Sequence, residues 1–213
     1  MTSSTFPDVI DQLLGIAPGD PLDRIRARRP QARAQAQRSH EALFDPAPPV
    51  FGQVSPAERH ALAAFVALLH GETAGADALA RLHLENLRRQ PGGEALIQAL
   101  RDEAARGAAQ GPYGRYPAGP LSAEDRDGPA YAVSEARRAT LGPRLAAALA
   151  HAHLLVHHPR DASPAALKAL LDAGWSSTDI VILSQLVAFL SFQIRVVAGL
   201  RALAPHLGAA PQP

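Results

Sequence analysis

Cysteine is absent from all 213 residues, and the chain holds one methionine, one tryptophan and 5% aromatic residues. Without a thiol there is no disulfide, no thiolate metal ligand and no sulfur nucleophile. Scarce aromatics beside abundant Ala and Leu favour helix over sheet, because alanine loses no side-chain entropy when a helix forms. An excess of either charge is also missing. The 21 basic and 20 acidic residues give a net charge of +1, so neither nucleic acid nor a membrane is expected as a partner. Met1 to Asp8 contain no basic segment followed by an apolar run, the pattern of a secretory leader, and a cytoplasmic location is expected. No Gly-rich phosphate loop follows a strand, and no Ser-His-Asp triad can be named.

What is present reads as helices. Val9, Ile10, Leu13 and Leu14 fall at helical spacing before Gly15 and Pro18. A polar helix is expected from Pro21 toward Leu43, interrupted near Pro30. The arginines Arg24, Arg26, Arg28, Arg29, Arg33 and Arg38 make it either a solvated face or a phosphate-binding strip. Residues 1–50 then form an N-terminal helical extension ending in a Pro-rich connector, 51–207 the main helical domain, and 208–213 a disordered tail. The first core helix opens at Ser55-Pro56-Ala57-Glu58, a capping box with proline at the first helical position. Further helices are expected over about 76–89, 94–106, 143–158 and from Pro164 to Gly174. Ser-Pro-Ala opens both halves, at Ser55 and Ser163, which would suit a duplicated helical unit. Between them, residues 111–130 are rich in glycine and proline and hold tyrosines. They are either a pocket lid, an arm across a partner subunit or a plain surface connection. The last helix, Asp179 to about Leu203, is apolar on most faces, which predicts burial in a core or subunit interface. Ser184, Gln185, Ser191, Gln193 and Arg195 interrupt it and speak against a membrane span.

The run Asp161-Ala162-Ser163-Pro164, then Leu170 to Val181, Leu183 to Leu186, Phe189, Phe192, Arg195-Val196 and Gly199-Leu200 resembles carboxymuconolactone decarboxylase-domain proteins, most closely their peroxidase-related branch. Val54 to Gly71 is similar to the helix preceding that family's active-site motif. The resemblance implies an all-α bundle of the alkylhydroperoxidase D (AhpD) type. The family's redox motif is C-x-x-C-x-x-x-H, in which one thiolate attacks a peroxide and the second resolves the sulfenic acid. With His83 as the terminal histidine, the two cysteine positions hold Ala76 and Leu79, and Ala64 stands at the glutamate position. Thiol peroxidase activity is therefore not expected.

Candidate site residues form two groups. His83 and Glu58, with Arg195, would be the acid/base groups of a non-thiol enzyme of the decarboxylase type. Ser184, Ala188, Ser191 and Arg195 lie at i, i+4, i+7 and i+11 along the last helix, a small and polar stripe, and Ser184, Ser191 and Arg195 with Gln185 are the candidate ligand-binding set. An arginine on a buried face needs a partner, either Glu58 or Glu72 in an internal ion pair or a ligand anion. His153 and His157 have metal-ligand spacing, but no third ligand is evident. No metal or cofactor is expected. The apolar last helix implies a homo-oligomer, and a paralogous decarboxylase-domain protein is a further candidate partner. The leading expectation is a cysteine-free protein binding a small apolar or acidic molecule. The alternatives are the acid/base enzyme and a non-catalytic interaction partner.

Overall fold

The computed structural model describes residues 8–48 and 52–207. The tail at 208–213, the last part of the Pro-rich connector and the residues before Asp8 lie outside them. Among the described residues the fold is all-α, with an isolated Gly114–Arg126 bridge as the sole extended pairing. In chain order the helices are α1 (Val9–Leu14), α2 (Pro21–Ala27), α3 (Pro30–Phe44), α4 (Pro56–Leu69), α5 (Ala76–Arg88), α6 (Gly93–Arg106), α7 (Glu135–His157), α8 (Pro164–Asp172) and α9 (Ser177–Leu203).

Helix α4 is the central element, packed against α5, α6, α7 and α9. Its residues from Arg59 to Ala67 are all buried, and four alanines (Ala61, Ala63, Ala64 and Ala67) let the neighbouring helices approach closely. Leu62 and Phe65 of α4 meet a core formed by Leu79 and Leu87, Leu100, Leu149, Leu186 and Leu190. The one buried cation on α4, Arg59, gives Nη1 to Leu43 O (2.7 Å) and Nε to Val54 O (3.0 Å). Backbone carbonyls thus replace its water.

The capping boxes at Ser55/Glu58 and Ser176/Asp179 are both formed. Helix α7 begins earlier than the sequence suggests. Gly142, at φ +74°, bends the chain, and helix resumes at Pro143 while Glu135 to Leu141 form the preceding turns. That φ is the left-handed region, which glycine enters without steric cost.

Of the arginine run, Arg24, Arg28, Arg29 and Arg38 are exposed, as a solvated face requires, whereas Arg26 and Arg33 turn inward to carboxylates. Arg26 is buried and pairs with Asp8 (2.9 Å) and Asp11, while Arg33 pairs with Asp11 and with Asp23 at 2.8 Å. These pairs tie α1, α2 and α3 into one unit. Arg144 does the same for the opposite end. It contacts Glu58 Oε1 at 2.8 Å, donates to Gly174 O at 2.6 Å and covers the Trp175 ring at 3.6 Å.

Helix α9 is buried in the core along one side only. Its inner faces (Leu183, Leu186, Leu190, Ile194 and Val197) are buried, yet Val181 is 55% and Phe192 49% exposed. With its following turn it is long and apolar enough to cross a membrane by length and composition, although it packs on α4 and α7.

Candidate functional site: a cleft between α4, α7 and α9

Three of the four ligand-site candidates on α9 share one cleft. Ser184, Ser191 and Arg195 line a cavity of 1020 Å³ together with the C-terminal end of α4, the end of α7 and the 108–112 segment. The fourth, Gln185, is exposed and outside the lining. Leu68, Leu155, Val156 and Val187 supply apolar wall. The 108–112 segment is held in place because Tyr113 N donates to His157 O at 2.6 Å. A Cβ on Gly111 would lie 2.7 Å from that same carbonyl oxygen, so only glycine permits the approach.

Arg195 is exposed, and among the described residues it forms no ion pair. Its hydrogen bond goes to Ser191 O of its own helix, at 2.8 Å. The internal pair expected with Glu58 or Glu72 is not formed. Glu58 is taken by Arg144 and by its own cap on Ser55, and Glu72 lines the cleft without reaching the guanidinium. The physical reason is helical phase. Residues 181, 185, 188, 192, 195 and 199 form the exposed stripe of α9, so Arg195 does not enter the core where an internal pair would form. A guanidinium has five N–H donors, so most of those on Arg195 face the cleft and solvent unpartnered.

Two histidines complete the wall, and sequence spacing alone singled out neither for this role. His70, ending α4, has Nε2 3.2 Å from Ser191 Oγ. Burial and then the Arg195 charge hold it down to a pKa of about 4, so its ring is neutral near pH 7. His157 is buried, its Nε2 has no partner among the described residues, and burial followed by the nearby His70 and His158 lowers its pKa. The cleft therefore offers one uncommitted cation, two neutral imidazoles, the hydroxyls of Thr73, Ser184 and Ser191, and the Glu72 and Gln110 side chains against apolar walls.

His83 lies elsewhere. It is fully buried, with Nδ1 3.3 Å from His60 Nδ1, and Phe44 packs on its ring at 4.5 Å. Burial, followed by the neighbouring His60 and His40, pushes its pKa well below the usual histidine value. One proton must lie between the two Nδ1 atoms, so His60 and His83 are locked as complementary neutral tautomers. His83, Glu58 and Arg195 are not brought together. His153 donates Nε2–H to Gly107 O (3.0 Å), and among the described residues no group of three ligating side chains could hold a metal ion.

No family model, curated protein or solved structure matches this chain. Function must be argued from the cleft.

Proposed function

We propose that this is a cysteine-free, AhpD-like helical protein that binds a small carboxylate-bearing molecule in the α4–α7–α9 cleft, without thiol peroxidase chemistry. The observation that carries the reading is Arg195, a cation without a carboxylate partner in a cleft that also presents neutral imidazoles, hydroxyls and one carboxylate, Glu72, that does not pair with it. A carboxylate accepts from a guanidinium in two parallel hydrogen bonds, the strongest neutral-pH match for that group. The Ser191 hydroxyl and the His157 ring nitrogen extend the polar side, while the Ser184 hydrogen is already given to Ile180 O. The leucine and valine walls accept an apolar body. Glu72 on the same cleft limits the charge the site tolerates, which favours a single carboxylate over a phosphate or dianion.

Isothermal titration of the full chain with aliphatic and aromatic monocarboxylates tests the reading, with the matching primary amides as controls. Saturable heat for acids and none for amides is the expected result. Equal binding of both would remove the role of charge.

A second reading, acid/base catalysis, has one observation in its favour: His70 is a neutral base 3.2 Å from a hydroxyl and next to the anchoring cation. If a bound carboxylate turns over, His70→Gln should abolish turnover while leaving its affinity within about threefold.

A further inference from the structure

A second cleft, of 470 Å³, lies on the other side of α7, between α7, α8 and the segment 128–131. Its volume falls in the range of ordinary small-molecule sites. Its walls are mainly alanine, leucine and proline, with His151, His153, His158, Tyr131 and Asp161 as polar members. The hydrogen-bond geometry fixes what those polar members can still do.

His153 Nε2 faces Gly107 O at 3.0 Å. A carbonyl can only accept, so Nε2 carries the hydrogen and Nδ1 is a bare acceptor. His151 Nε2 lies 3.0 Å from Ser184 Oγ, whose own hydrogen goes to Ile180 O at 2.8 Å. His151 Nε2 must therefore donate, which leaves Nδ1 bare as well, buried and without a partner among the described residues. The side-chain donors in this cleft are already directed at acceptors. The Tyr131 hydroxyl donates to Glu103 Oε2 at 2.9 Å, and both His158 nitrogens face acceptors, Asp161 Oδ2 at 3.0 Å and Pro129 O at 3.1 Å. Burial holds His153 down to about 4, so it stays an acceptor near pH 7.

We propose that this cleft is a second small-molecule site, selective for neutral, largely apolar molecules that carry a hydroxyl, such as phenols. Its side-chain complement is the inverse of the Arg195 cleft: bare imidazole acceptors and the Asp161 carboxylate with no cation or free side-chain donor, which disfavours anions and rewards an O–H. The hydroxyl donates to a bare imidazole nitrogen and the ring lies on the alanine and leucine walls.

The test is amide chemical-shift titration of the full chain with phenol, with its methyl ether anisole, and with benzoate. Phenol should give saturable shifts at Ala150, Leu154 and Ala169, and anisole should bind at least about tenfold more weakly at those positions. Ala169→Phe, at an exposed lining position on α8, should weaken phenol by at least about tenfold, whereas Arg195→Met should change it by less than about twofold. His153→Leu removes the acceptor but also the Gly107 bond, so Ala169→Phe decides the matter if that variant fails to fold. Equal affinity for phenol and anisole, phenol shifts unchanged in Ala169→Phe, or no saturable shift would overturn the proposal.

Discussion

Acidification from pH 7 to pH 4.5 should destabilise the fold through its depressed histidines, with the packed cluster of His40, His60 and His83 contributing a part that can be isolated by substitution. His60 is 7% exposed, and burial, then the charges of His40 and Arg59, hold its folded-state pKa at about 4 against an unfolded value of 6.5. A histidine whose folded pKa is depressed binds its proton more readily in the unfolded chain. Stability is therefore complete above pH 6.5, falls as pH drops through the window from 6.5 to about 4, and levels off below it. One such group accounts for about 3 kcal/mol over that window. His40 also sits at about 4 and burial pushes His83 well below the usual histidine value, but their mutual repulsion makes the three contributions non-additive. A combined loss of about 4–6 kcal/mol is expected, a large part of the ~5–15 kcal/mol typical of a domain. The assay is urea unfolding followed by far-ultraviolet circular dichroism at half-unit pH steps. His83→Gln, which retains a hydrogen-bonding group for His60, should flatten the slope near pH 5 by about 1 kcal/mol per pH unit. A stability curve flat between pH 7 and 5, or one with the same slope in His83→Gln, would refute the reasoning.

Arg144→Ala removes the Glu58 pair and the cover over Trp175, and should cost about 2–3 kcal/mol in urea unfolding, with a shift in the fluorescence of the single tryptophan. Phe192 is exposed on α9 while Phe189 packs toward His40 with ring centroids 6.4 Å apart. If α9 carries a contact between copies, Phe192→Asp should yield monomers by light scattering with the melting temperature nearly unchanged, whereas Phe189→Asp should unfold the chain. Dithiol-driven reduction of organic hydroperoxides should not exceed a buffer blank, since no residue can form the sulfenic acid.

Features written within one helix were legible in the sequence. Ser55 with Glu58 and Ser176 with Asp179 mark helix starts by local chemistry, and Ser184, Ser191 and Arg195 align because they share α9. What failed was tertiary. His70 meets Ser191 across 121 residues, and His60 meets His83 across 23, so no spacing rule could pair them. Arg26 and Arg33 read as a polar run because Asp8 and Asp11, which neutralise them, sit on another helix. The near-continuous apolarity of α9 concealed which stripe faces outward. Arg195 therefore looked buried and in need of an internal carboxylate. The first turns of α7 were hidden because Gly142-Pro143 reads as a stop, while the backbone only bends there.

The central claim is that Arg195 is a ligand anchor and not a structural ion pair, and Arg195→Met separates the two in one experiment. Thermal unfolding of wild type and variant is measured with and without the monocarboxylate that binds best. With no partner to orphan, the substitution should shift the unliganded melting temperature by no more than about 1–2 °C. It should also remove the carboxylate-induced rise, because loss of a charged hydrogen-bonding group costs about 1.5–3 kcal/mol, or roughly ten- to a hundredfold in affinity. Equal carboxylate shifts in both proteins, or a large destabilisation of the empty variant, would contradict the account.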